Sequence, residues 1–108
     1  MNNLNTALVT GGGQGIGKET AILLSKKGLN LIICSRTQKE IDSAVKEIKS
    51  LGNAQIIGRK CDVNVSSQVN TLVSEALNIY GRIDVLITKF NLVIPKPCNK
   101  DNFLLIIY

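Results

Sequence analysis

Apolar residues recur along the first 88 positions in two alternating rhythms. Short runs rich in Val, Ile, Leu and Ala occupy residues 4–10, 29–35, 54–61 and 83–88, and each reads as a strand covered on both faces. Between them the apolar positions spread out to a spacing of three and four, the period of a helix with one buried face. The first such stretch covers residues 16–27, with Gly28 just past its end. The second opens at Thr37-Gln38-Lys39-Glu40, a capping-box pattern in which hydroxyl and carboxylate cap each other's backbone. It continues through Ile41, Ala44, Val45, Ile48 and Leu51 to a stop at Gly52. The third runs over residues 65–80 with the stripe Val69, Leu72, Val73, Ala76, Leu77 and Tyr80, and Gly81 closes it. The order is βαβαβαβ, an α/β chain whose right-handed crossovers predict a doubly wound parallel sheet. The expected strand order is 3-2-1-4, with the switch point between the first and fourth strands.

The junction of the first strand and first helix carries the densest chemical signal. Five of the nine glycines fall in Thr10-Gly11-Gly12-Gly13-Gln14-Gly15-Ile16-Gly17. A strand, a glycine loop and a helix start together present unpaired backbone N–H groups and a partial positive charge, the arrangement that holds a phosphate. Three loop patterns compete. The fingerprint G-x-G-x-x-G has no register, because its last glycine falls on Ile16 or Lys18. The P-loop pattern fits Gly12, Gly17 and Lys18, but Glu19 stands where a hydroxyl must hold Mg²⁺. The pattern T-G-x-x-x-G-x-G is met by Thr10, Gly11, Gly15 and Gly17.

Composition narrows the partners. Aromatic residues make up 4% of the chain and hydrophobic residues 44%, which suits an aliphatic sheet core. The net charge of +5 comes from dispersed basic residues, with Lys26-Lys27 and Arg59-Lys60 the adjacent pairs. Without interleaved aromatics this reads as a solvated surface that attracts an anionic cofactor, not a nucleic-acid face. Cys34, Cys61 and Cys98 have neither metal-site spacing nor a histidine partner. Cys34 and Cys61 read as small core residues, and an odd count points to a reducing, cytoplasmic setting. The start Met1-Asn2-Asn3-Leu4-Asn5 does not read as a signal peptide, and no apolar run reaches membrane-spanning length.

With the loop, three further stretches resemble the short-chain dehydrogenase/reductase family: Cys34-Ser35-Arg36, Cys61-Asp62-Val63, and residues 80–87 from Tyr80-Gly81-Arg82 through Ile83-Asp84. The resemblance covers residues 4–88 and lies nearest to 3-oxoacyl-acyl-carrier-protein reductases and tropinone reductases. It implies a Rossmann-like fold and an oxidoreductase. Thr10, Gly11, Gly15 and Gly17 would form the cofactor loop, and Gly13, Gln14 and Ile16 would offer backbone N–H groups to the pyrophosphate. By the same resemblance Asp62 would accept from the adenine amino group and Val63 would make a backbone contact. Asp62 and Asn64 are also cap candidates for the third helix, Asn64 the stronger. The second strand ends without an acid, and Arg36 follows Ser35. A guanidinium there clasps a 2′-phosphate, so the expected cofactor is NADP ahead of NAD.

Resemblance fails after residue 88. Where the family has Asn-Asn-Ala-Gly, this chain has Thr88, Lys89, Phe90 and Asn91. The family's catalytic serine, tyrosine and lysine follow still later, and no Y-x-x-x-K occurs here. Tyr80 reads instead as the end of an apolar stripe. The expected organisation is a dinucleotide-binding half-domain over 1–88 and a divergent tail over 89–108, a truncated reductase inactive by itself. A non-catalytic dinucleotide-binding module and a P-loop remnant are the alternatives. Residues 103–108 are apolar and suit a strand or a short helix. Without the family's fifth strand and pairing helices, the fourth strand's edge would lie open unless the tail covers it, predicting marginal stability and self-association.

Overall fold

Five parallel strands line up in the order β3-β2-β1-β4-β5. The computed structural model describes residues 5–13, 15–51, 54–88 and 104–107. Along the chain these form β1 (Thr6–Thr10), α1 (Gly15–Lys26), β2 (Asn30–Ser35), α2 (Gln38–Leu51), β3 (Ile56–Lys60), α3 (Ser66–Tyr80), β4 (Val85–Thr88) and β5 (Leu104–Ile107). The register pairs Leu8 of β1 with Ile32 on one side and Leu86 on the other. The expected order of the first four strands is therefore the observed one.

Strand alternation divides the core into two layers. Ala7, Val9, Leu31, Ile33, Val85 and Ile87 face α1 and α2, where Ala21, Ala44 and Ile48 meet them. Leu8, Ile32, Cys34 and Leu86 face α3 and pack with Val69, Leu72, Val73 and Ala76. Burial on both faces explains why the strands read as nearly continuous apolar runs. Cys34 and Cys61 are buried and free, and Tyr80 packs against the α3 layer as its stripe predicted. Leu51, expected in the apolar stripe of α2, is exposed.

Two expected caps are not formed. Glu40 does not reach back to Thr37; its Oε1 accepts from Ser35 Oγ at 2.9 Å, and the Thr37 N–H is directed at the same Oγ at 3.4 Å. At α3 the N-cap position is Val65, which makes no side-chain cap bond. Asn64 instead donates its N–H to Asp62 Oδ1 at 2.9 Å, an Asx turn one step before the helix. At the other end Gly81 closes α3 with φ 82° and donates its N–H to Leu77 O.

The tail takes the strand form of its two expected alternatives. β5 pairs in parallel with β4, Val85 against Leu104 and Thr88 against Ile107, so the far edge of β4 is covered. Residues 89–103, which include Lys89, Phe90, Asn91 and Cys98, lie outside the described residues, as do Gln14 and Gly52. Among the described residues no helix is long and apolar enough to cross a membrane.

Candidate cofactor-binding site

The carboxyl ends of β1, β2 and β3 open onto a cleft of about 680 Å³. That size and place suit a small-molecule site at the switch point of an open sheet. One wall is the glycine loop, with Thr10, Gly11, Gly13, Gly15, Ile16 and Gly17 lining it. Gly11 and Gly15 adopt φ of 68° and 62°, conformations that a side chain disfavours. Gly12 serves packing: its N–H donates to Cys34 O at 3.1 Å, and an added Cβ would sit 2.7 Å from Ile33 Cβ. A Cβ at Gly15 would meet nothing within 4 Å. The first turn of α1 holds no acidic residue, so its positive end is not neutralised from within.

β2 supplies the second wall through Ser35, Arg36 and Thr37, and α2 adds Glu40. Arg36 is exposed at the rim. Glu40 lies against the loop, since a Cβ on Gly13 would be 3.2 Å from Glu40 Cβ and 3.3 Å from Ser35 Cβ. Cys34, Cys61, Val63 and Asn64 complete the lining. The neighbouring Cys61 sulfur, then burial, pushes the Cys34 thiol well above the usual thiol range. Cys34 is therefore a packing group at neutral pH rather than a nucleophile, whereas the same neighbour lowers Cys61.

The expected residues come together with two exceptions. Gln14 lies outside the described residues. Asp62 is not among the lining side chains: its Oδ1 holds the Asn64 N–H, and its own N–H donates to Gln68 Oε1 at 2.7 Å. It shapes the turn that carries Val63. Ser35, Thr37, Glu40 and Asn64 are lining residues that the sequence reading did not select. Their signal was proximity to a strand end and a helix start, where neighbouring loops converge. Lys18, the lysine of the P-loop alternative, points elsewhere: its Nζ pairs with Glu47 Oε1 at 3.0 Å. That reading is left without its phosphate-binding cation.

At the edge between β1 and β4, Thr10 Oγ1 donates to Thr88 Oγ1 at 3.1 Å, and both residues are buried. Threonine in the family's first asparagine position thus ties the loop's root to the neighbouring strand.

A doubly wound sheet with a glycine loop and helix N-terminus at its switch point defines a nucleotide-binding α/β protein. The short chain dehydrogenase family matches residues 5–101, and the chain belongs to that family. A short-chain dehydrogenase/reductase homolog of Bacillus subtilis, YusS, is 38% identical over 89 residues, 81% of this chain and 81% of that protein. Actinorhodin polyketide ketoreductase, solved with NADPH, superposes with a TM-score of 0.75 at 36% identity over 81% of this chain and 33% of its own. A short chain dehydrogenase/reductase from Burkholderia phymatum, solved with NAD, gives 0.74 at 27% identity over 78% and 30%. The chain spans about a third of the length of other curated relatives it matches, ketoacyl and tropinone-type reductases among them.

Proposed function

We propose that this chain holds a nicotinamide dinucleotide in the cleft, NADP(H) ahead of NAD(H), as the cofactor-binding part of a short-chain reductase. The residues present fit that group. A glycine loop with open space over Gly15 meets a helix N-terminus free of acids, which suits a pyrophosphate. Val63, at the far wall, would offer a backbone contact to the adenine. When bound, such a cofactor supplies or accepts hydride at a carbonyl carbon.

Arg36 is the single observation that carries the NADP preference. It lines the cleft at the end of β2, and the strand itself ends on Ser35, not on an acid. The guanidinium offers paired charge-assisted bonds to a 2′-phosphate, which an unphosphorylated ribose cannot return. Cofactor fluorescence titration tests this: Arg36→Ala should weaken NADPH by about tenfold or more and leave NADH near its original affinity. Equal loss of both, or of neither, refutes the preference.

The substrate side belongs to the part of the family that this chain does not span. By resemblance that part carries the serine, tyrosine and lysine, and it makes 3-oxoacyl thioesters and small ketones the nearest substrate classes. Tyr80 does not replace the tyrosine, because its hydroxyl is buried at the end of α3 with no partner among the described residues. Carbonyl reduction by this chain alone is therefore expected to read zero. A dinucleotide-binding module without turnover is the second reading. It is favoured by the cover that β5 gives β4 and by the comparable span of the Bacillus relative.

A further inference from the structure

The cleft holds one charged group that opposes the preference assigned to Arg36. Glu40 stands in the first turn of α2 and lines the same wall as Ser35, Arg36 and Thr37. It is partly buried, and its position is fixed twice. Ser35 Oγ donates to its Oε1 at 2.9 Å, and its Cβ sits against Gly13 of the phosphate loop. The carboxylate is thus held between the end of β2 and the loop, on the wall that the ribose of a dinucleotide would face if its pyrophosphate lay on the loop. The same bond commits the only hydroxyl proton of Ser35, so Ser35 has none to donate to a 2′-phosphate. Among the described residues no basic side chain of α2 pairs with Glu40; Lys39 beside it is exposed and does not line the cleft.

We infer that Glu40 is a specificity-determining residue of the cofactor cleft, a fixed negative charge that holds down the affinity for a 2′-phosphorylated dinucleotide. This rests on the dinucleotide reading of the cleft. Arg36 attracts the 2′-phosphate from an exposed position where salt and water screen it. Glu40 repels it from a half-buried position where screening is weaker, and it can accept a bond from an unphosphorylated 2′-hydroxyl. The cofactor ratio is then a balance of two opposite charges on one wall of the cleft, and not the reading of a single arginine.

The test is a Glu40→Gln variant titrated with NADPH and NADH by cofactor fluorescence. Glutamine keeps the length and an acceptor for Ser35 while removing the charge. The expected result is a rise of roughly five- to twentyfold in the ratio of NADPH to NADH affinity, smaller at high salt. Asp42→Asn, the same charge change at an exposed position of α2 outside the cleft, should leave the ratio within about twofold. An unchanged or lowered ratio in Glu40→Gln overturns the inference while leaving the dinucleotide reading intact. So does an equal rise in Asp42→Asn, which would make the effect one of net charge. Loss of both affinities in Glu40→Gln alone would recast Glu40 as a support of the cleft wall. Absence of saturable binding in the unsubstituted chain removes the dinucleotide reading and the inference together.

Discussion

Asp84 is 1% exposed and precedes β4 by one residue. Its Oδ2 accepts the N–H groups of Asn5 and Thr6 at 2.9 and 3.1 Å, and its Oδ1 pairs with Arg82 at 2.6 Å. Its own N–H donates to Thr6 O. One buried carboxylate thus closes the start of β1, whose far end opens onto the cleft, onto the start of β4. Asp84→Ala would leave two backbone donors without their acceptor and should cost about 3 kcal/mol. Urea unfolding followed by circular dichroism measures it; a loss below about 1 kcal/mol would show that water replaces the carboxylate. Nothing in the pattern of residues 80–87 singled this aspartate out, because its partners lie 78 and 79 positions away in the chain. The glycines of the loop were legible for the opposite reason. Their roles are mostly backbone conformation and close approach within eight residues, and glycine is the one residue type that advertises both. Asp62 and Asn64 show the limit of such local reading. Each was a sound cap by type, but Asp62 takes the Asn64 N–H and the helix starts beyond them.

The helices and strands follow their patterns to within two residues at most ends, since apolar period and terminal glycines act locally. How closely two elements approach is a different matter, and Gly58 shows it. In β3 it lies under α2, where an added Cβ would be 2.2 Å from Ile41 Cγ2 and 2.8 Å from Val45 Cγ2. Both neighbours are β-branched and sit on a helix whose other face is exposed, so relief requires α2 to lift from the sheet. Gly58→Ala should destabilise by about 2 kcal/mol, read from the shift of the unfolding midpoint. A neutral result would mean that α2 moves freely on β3. Lifting α2 would also carry Glu40 away from Gly13, so the same variant should blunt the cofactor ratio. As a plain alternating strand, β3 gave no sign that its glycine was a contact point. The capping box fails for a related reason: Ser35, at the end of another element, competes for Glu40 and wins at 2.9 Å.

Across the whole molecule, the cleft and the core share residues, and this couples stability to pH. Cys34 and Cys61 belong to the α3 layer and also line the cleft. The ordinary thiol value is 9.0, and Cys34 is held protonated above it by the neighbouring Cys61 and by burial. Tyr80 is raised above its ordinary 10.0 by burial, against a smaller opposing effect of Arg59. In both cases the folded state keeps a proton that the unfolded chain releases. The stabilisation is complete below the unfolded value and is lost as pH rises through it. Cys61, lowered by its Cys34 neighbour, adds the opposite slope below the ordinary thiol value, so stability should fall only above about pH 9, by up to about 1.4 kcal/mol per pH unit for each raised group. Denaturant unfolding at pH 7.5 and pH 10 checks this, and Cys34→Ala should flatten part of the slope. A level profile to pH 10 would contradict the burial of these protons.

Residues 4 to 88 announced four strands, three helices, their order in the sheet and the position of a phosphate-binding loop. All of these depend on short-range periods, turn residues and the handedness of crossovers, which a linear chain displays. The cover on β4 was not legible in the same way, because an apolar run of six residues suits strand or helix until a partner edge exists to pair with. Nor was the opposition of Arg36 and Glu40. It exists because β2, α2 and the glycine loop converge on one cleft, and a charge acts through space on whatever the fold brings beside it.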